Sequence, residues 1–207
     1  MRTKSILKLF TCVAALQLGA ITAEAADSPW LIRARVIDVV PDESSTVSIG
    51  GEITAGKSIV PEIDISYFWN DYFATELILA TSKHSIGATG TSLGDLDLGH
   101  VWALPPTLLA QYHFNPYGQI RPYIGAGINY TIFYNEDPGD MTALEYKNGF
   151  GYAFQAGVDI GINDNWAFNL DTKKLYLNTD ASINGGVATA DVDLNPWIFG
   201  AGFAYRF

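Results

Sequence analysis

Nine charged residues sit inside stretches that are otherwise greasy. Several recur two positions apart: Arg33 with Arg35, Glu62 with Asp64, and Asp171 with Lys173, while Glu76, Asp159 and Arg206 stand singly. Residues i and i+2 of a strand point to one face, so each pair shares a face and the apolar residues between them take the other. Charges held in this way can move protons, line an ion path or neutralise one another. Four cations against five carboxylates is close to balance. That favours a salt-bridged plug over an ion-selective ring of one sign, with a gated aqueous path as the alternative. Arg33, Arg35, Glu76, Asp171 and Lys173 are therefore expected to form one charge network on an inner surface.

Other chemistry finds little support. His84 and Ser85 have the residue types of a hydrolytic pair, but neighbours on a strand face opposite ways and cannot cooperate without a bend. His84, His100 and His113 have no metal-ligand spacing, and the single cysteine is Cys12. Gly125-Ala-Gly127 lies within an alternating stretch and opens no helix, so it is not a phosphate cradle. No enzyme, cofactor or metal is expected.

Residues 1–25 read as a secretory signal. Arg2, Lys4 and Lys8 precede the apolar Leu9–Ile21, and Ala23-Glu24-Ala25 is a small-x-small cleavage site. The apolar run is too short to span a membrane as a helix. Removing the signal moves the net charge from −10 to −12, because three cations and one carboxylate leave with it. Such an acidic chain is not a nucleic-acid binder. Residues 26–207 then form one domain without a thiol, which excludes disulfides. Hydrophobic residues make up 48% of the chain, yet no long run is apolar throughout, so the grease is distributed by alternation.

Eight alternating stretches carry that pattern: Trp30–Val39, Glu62–Trp69, Tyr72–Lys83, Thr107–Phe114, Arg121–Tyr134, Phe150–Ile162, Trp166–Tyr176 and Asn195–Phe207. In the last, Trp197, Phe199, Ala201, Phe203, Tyr205 and Phe207 share one face, and the other face is mostly small. The connections alternate long and short. Pro41–Lys57, His84–Gly99, Asn135–Asn148 and Leu177–Asp193 are long and polar, whereas Asn70–Asp71, Asn115–Gln119 and Asn163–Asn165 are tight turns. Outward aromatics, dyad alternation and sorted connections together predict an all-β fold, an eight-stranded antiparallel transmembrane β-barrel with long extracellular loops and short periplasmic turns. Tyr67, Trp69, Tyr72, Tyr112, Phe114, Tyr123, Trp166, Tyr205 and Phe207 fall near the short turns or the C-terminus and are assigned to a periplasmic aromatic girdle. The location expected is the outer membrane of a Gram-negative-type bacterium, with its lipid as one partner.

The whole of residues 26–207 resembles the OmpW family of small outer-membrane barrels. The resemblance is carried by Leu104-Pro-Pro-Thr107 leading to Gln111-Tyr-His-Phe114, by Arg121-Pro-Tyr-Ile-Gly-Ala-Gly-Ile-Asn-Tyr130, by Asp171-Thr-Lys-Lys174 and by the terminal Phe207. Ser66-Tyr67-Phe68 and Ala80-Thr81-Ser82-Lys83-His84 are two further blocks, with Ser82 standing where the family pattern has proline. The acidic third loop matches no family block. The resemblance implies uptake of small hydrophobic molecules through an apolar outer channel that opens sideways toward the membrane.

The residues themselves support an apolar vestibule above the charges. Ile49, Ile53, Leu93, Leu96, Leu98, Phe133, Leu144, Leu177, Ile183 and Val187 lie in or near the long loops, where they either meet a greasy ligand or pack on one another. The expected ligand path comprises Leu93, Leu96, Leu98 and Phe133. Its exit lies beside Pro105 and Pro106, which cannot donate to a strand ladder. The competing expectation is a structural or surface-interaction barrel with no conduit. Phe207 is expected to serve as an assembly signal read by the barrel-assembly machinery, and the sequence sets no oligomeric state.

Overall fold

The computed structural model describes residues 28–47, 51–92, 94–139, 143–183 and 188–207. The expected signal peptide, residues 1–25, lies outside them, as do Ile49, Leu93 and Val187. Fourteen strand segments run through the described residues. In chain order they are β1 (Trp30–Val40), β2 (Glu43–Val47), β3 (Glu52–Ala55), β4 (Ser58–Phe68), β5 (Phe73–Ala80), β6 (Ser82–Thr91) and β7 (Gly94–Leu104). There follow β8 (Thr107–His113), β9 (Ile120–Asp137), β10 (Leu144–Tyr146), β11 (Gly149–Gly161), β12 (Trp166–Ile183), β13 (Ala188–Leu194) and β14 (Trp197–Arg206).

Eight of these close a ring of antiparallel pairs in the order β1, β4, β5, β8, β9, β11, β12 and β14. The closing pair runs from Leu31 opposite Arg206 to Val40 opposite Trp197. Closure removes the unpaired edges that an open sheet would present to lipid, where no water can satisfy them. Asparagines make two of the tight turns. The Asn70 side-chain oxygen accepts from the backbone N–H groups of Tyr72 and Phe73, both at 2.9 Å, and Asn163 accepts from Asn165 and Trp166 at 3.1 and 2.8 Å.

The apolar belt faces outward. Val36, Ile63, Leu79, Ile128, Phe154, Phe199 and Phe203 are all well exposed on the barrel's outer wall, which in water would be an aggregation surface and in a bilayer is not. Aromatic rings bound the belt at both ends. At the short-turn end Tyr67 lies edge-on to Trp30 and to Trp69, each at 4.9 Å, and Tyr205 packs on Trp166 and Phe207, each at 5.0 Å. At the other end Tyr152 stacks on Tyr176 at 5.0 Å, and the Lys174 ammonium lies 5.0 Å above the Trp197 ring. Trp197 and Tyr205 thus bracket β14 with a span close to the ~9–11 residues that a tilted strand needs to cross a membrane.

Two expectations are corrected. Tyr123 belongs to no girdle: it is 1% exposed inside the barrel. It shares the parity of Gly125 and Gly127, and Gly157 opposite leaves the space that its ring occupies, since a Cβ there would collide with the ring and its hydroxyl. The long connections are also far from irregular. β9 and β12 each run for 18 residues, ~60 Å at about 3.3 Å per residue, roughly twice the bilayer core. Above the membrane β7 pairs with the upper part of β9, β6 with β7, and β3 with β6, while β13 pairs with the upper part of β12 and β2 with β13. These stretches looked like loops because outside lipid both faces of a strand can be polar, which erases the alternation used to find them.

Phe207 ends the chain at the short-turn rim, where its N–H donates to the Trp30 carbonyl at 3.2 Å and its half-exposed ring rests on Tyr205. So few contacts give its deletion a modest cost, about 1 kcal/mol. If the residue also serves as an insertion signal, its deletion lowers the amount of barrel inserted in cells far more than the stability of barrel refolded in detergent. Equal losses in the two assays would reduce Phe207 to packing alone.

Candidate functional site

The inner face changes character along each strand. On β1 the inward positions read Arg33, Arg35, Ile37 and Val39; on β12 they read Asp171, Lys173, Leu175 and Leu177; on β5, Glu76, Ile78 and Ala80; on β4, Asp64, Glu62 and Val60. Across β1 and β4 the pair Arg35 and Glu62 gives way to Ile37 and Val60, and the apolar positions of β5 and β12 converge on the same space above the charges. A charged plug therefore lies below an apolar cavity.

The plug is a single network. Arg33 donates to both Asp159 oxygens, at 3.2 and 2.8 Å, and reaches Glu76 at 3.1 Å and Asp64 at 3.4 Å. Arg35 binds Glu62 at 2.9 Å, Asp171 at 3.4 Å and Asp64 in close contact. Lys173 donates to Glu62 at 2.8 Å and to Asp171 at 2.6 Å. All five residues of the expected network stand in it, joined by Glu62, Asp64 and Asp159. Arg206 stands apart at the rim, over the Phe68 ring at 4.3 Å. Three cations then face five buried carboxylates, and neutral donors meet the excess. The Tyr123 hydroxyl donates to Asp171 at 2.9 Å, Gln155 to Glu76 at 2.8 Å and to Asp171 at 2.9 Å, and Asn169 to Asp159 at 2.8 Å. Sequence reasoning followed charge alone and missed these donors. Their signal was parity, since Gln155 opposes Lys173 across β11 and β12 and Asn169 opposes Gly202.

Above the plug lies a cavity of about 1110 Å³, its open mouth included. Ile37, Val39, Ile78, Leu175 and Ile198 wall its lower part, and Ile53, Ile86, Val101, Val192 and Phe133 its upper part, with Glu62 and Lys173 at the floor. The lower walls too were legible as parity but were overlooked, because apolar ligand contacts were sought in the loops. Of the expected ligand path, Phe133 and Pro105 line the cavity. Leu98 is wholly buried in the cluster of Ile53, Ile86, Ala88, Val101, Ala181 and Val192 that backs it, and Leu96 packs on that cluster. Pro106 turns its carbonyl to the Tyr130 N–H at 3.1 Å, and Leu93 lies outside the described residues.

The wall beside the cavity has two interrupted ladders. Pairing of β5 with β8 stops at Ile78 opposite Thr107 and resumes between β6 and β7 at Ser82 opposite Ala103, leaving Leu79–Thr81 alongside Leu104–Pro106. Pairing of β4 with β5 stops at Glu62 opposite Ala80, next to Pro61, and resumes where Gly56 donates to the Ser85 carbonyl at 2.9 Å. Prolines without an N–H flank both interruptions. His84 sits at the second, its ring nitrogens 2.8 Å from the Gly56 carbonyl and from the Ser82 hydroxyl.

The OmpW family profile matches residues 27–207, essentially the barrel. This chain belongs to the OmpW family. It is 39% identical over 186 residues to an outer-membrane protein of Sinorhizobium fredii, y4mB, a match that covers 87% of this chain and 80% of that one. It is 28% identical to PahQ of Pseudomonas aeruginosa, named as a dibenzothiophene metabolism operon protein, over 88% of this chain and 90% of the relative. The crystal structure of the outer membrane protein OprG from Pseudomonas aeruginosa superposes with a TM-score of 0.81 at 29% identity, covering 86% of this chain and 95% of that one. Membership places the barrel in the Gram-negative outer membrane, surrounded by its lipid, with the short turns in the periplasm.

The plug yields a stability test. Lys173 and Lys147 each hold carboxylate partners, Lys147 contacting Asp180 at 2.9 Å, but Lys173 is buried and Lys147 is exposed. Lys173→Met leaves Glu62 and Asp171 short of a cation and is expected to destabilise the refolded barrel by about 3–5 kcal/mol in urea unfolding. Lys147→Met is expected to leave the midpoint almost unmoved. Equal shifts would contradict a plug held by its charges.

Proposed function

We propose that this barrel takes up small hydrophobic molecules from outside the cell and releases them sideways into the outer membrane. The observation that carries the reading is the coincidence of three features on β5: the plug ends at Glu76, the cavity lining begins at Ile78, and the ladder to β8 stops there. A greasy solute entering from outside gains by leaving water for the cavity walls, about 25 cal/mol per Å² of apolar surface buried. Going further down would strip it past paired charges. The side is the cheaper direction, because the Pro105–Pro106 gap leaves few ladder bonds to open.

That gap also lies at a suitable level. Tyr130, whose N–H meets the Pro106 carbonyl, belongs to the aromatic band of Phe150, Tyr152, Tyr176 and Trp197 at the outer membrane boundary. A solute leaving there enters the outer leaflet directly. The operon name of the relative PahQ, which concerns an aromatic sulfur compound, accords with a greasy cargo.

A second reading, a structural or surface-interaction barrel with no conduit, draws on the close packing of Leu98 within the wall cluster. Two variants separate the readings by uptake of a hydrophobic fluorescent probe into liposomes that carry the refolded protein. Phe133→Asp places a carboxylate at the cavity wall, and Pro105→Val with Pro106→Val restores two ladder donors at the gap. Each is expected to fold, by circular dichroism and by heat-dependent gel mobility, and to slow uptake severalfold. Parent-like uptake by both folded variants would remove the lateral route and leave the structural reading.

A further inference from the structure

Polar atoms are sparse on the cavity walls, and most have partners. The Lys173 ammonium at the floor is taken by Glu62 and Asp171, Glu62 by Arg35 and Lys173, and the Thr107 hydroxyl by the Pro105 carbonyl at 2.9 Å. Two hydroxyls differ. Thr131 on β9 and Tyr146 on β10 both line the cavity, and the oxygen of each is buried with no hydrogen-bond partner among the described residues. Thr131 is only 2% exposed, on the inward face of β9. One inward step below it, about 7 Å along the strand, both polar atoms of the Asn129 amide are unpartnered as well. A hydroxyl or amide buried without a partner costs roughly 1–3 kcal/mol, so several around one apolar cavity are not expected from stability alone.

We propose that Thr131 and Tyr146, with Asn129 beneath them, form a polar subsite that selects apolar compounds bearing one neutral hydroxyl group. This rests on the reading of the cavity as a site for hydrophobic molecules and names the class it prefers. A hydroxyl both donates and accepts, as Thr131 and Tyr146 each do, so a ligand oxygen can pair with either. The ring of Tyr146 stands 5.3 Å from that of Phe133, which leaves an aromatic surface beside the polar atoms for the body of an alcohol or phenol. An anionic head group is disfavoured. The plug below holds five carboxylates against three cations, and a carboxylate in the cavity would lose hydration with no counter-ion in return.

The test compares three fluorescent probes of matched size, naphthalene, 2-naphthol and 2-naphthoate, binding to the full barrel refolded in lipid nanodiscs. The parent is expected to bind 2-naphthol about threefold to tenfold more tightly than naphthalene, the effect of one or two neutral hydrogen bonds, and 2-naphthoate least. Thr131→Val keeps the side-chain shape and removes the unpaired hydroxyl. It is expected to bring the ratio of 2-naphthol to naphthalene affinity toward one and to cost no thermal stability. Tyr146→Phe, outside the membrane-spanning barrel, is expected to act in the same direction and serves if the Thr131 variant fails to refold. The subsite is overturned if the parent binds naphthalene and 2-naphthol alike, if 2-naphthoate binds best, or if both variants weaken the two neutral probes equally. Failure of the parent to bind any probe would overturn the uptake reading together with the subsite, whereas naphthalene binding without a hydroxyl preference removes the subsite alone.

Discussion

A narrow barrel that points charged side chains inward has to neutralise them within its own lumen, and that constraint organises the molecule. Arg33, Arg35 and Lys173 lie among Glu62, Asp64, Glu76, Asp159 and Asp171 with almost no access to solvent. Removing such ions from water is expensive, and their mutual attraction offsets the cost only where geometry is good and the remaining lone pairs find donors. Gln155, Asn169 and Tyr123 supply those donors. Gly200, whose Cβ would stand 3.3 Å from the Arg35 side chain, and Gly157 beneath Tyr123 keep the lumen wide enough for them.

The plug in turn determines what the upper half can do. With the lower lumen filled, the cavity has a floor, and in the proposed uptake that floor bars the straight route to the periplasm. Among the described residues the wall above that floor is strand for most of its circumference, because the extracellular segments extend the barrel as β6, β7 and β13. The exceptions among the described residues are the two interruptions beside Pro61 and Pro105–Pro106. Under the proposed uptake, the filled floor, the apolar walls and the wall interrupted beside proline act together to turn a hydrophobic solute toward lipid.

The outer surface obeys a different solvent. Its apolar belt would be a liability in water, but between the aromatic bands it matches a bilayer, so each strand must satisfy grease outside and charge or cavity inside. Period-two alternation meets both demands at once. It also explains why a single-residue slip is not tolerated here: one step would put Arg33, Arg35 and Lys173 into lipid.

Alternation and turn chemistry are local, and the sequence alone determined what depends on them: eight membrane strands, their tight asparagine turns, the inward set of charges and the outward aromatics. Family membership was legible for the same reason, in blocks such as Leu104–Thr107 and Arg121–Tyr130. What the tertiary structure decided depends on partners distant in the chain. Only ring closure brings Asp159 onto Arg33, places Tyr123 among carboxylates and turns apparent loops into a raised wall, since a polar strand above the membrane carries no alternation to read. Only the closed barrel gathers the apolar upper positions of separate strands into one cavity above the charges. The ligand contacts were sought in loop leucines, yet Ile37, Val39, Ile78, Leu175 and Ile198 wall the lower cavity. Their spacing was visible in the chain, but their convergence is a property of the closed barrel.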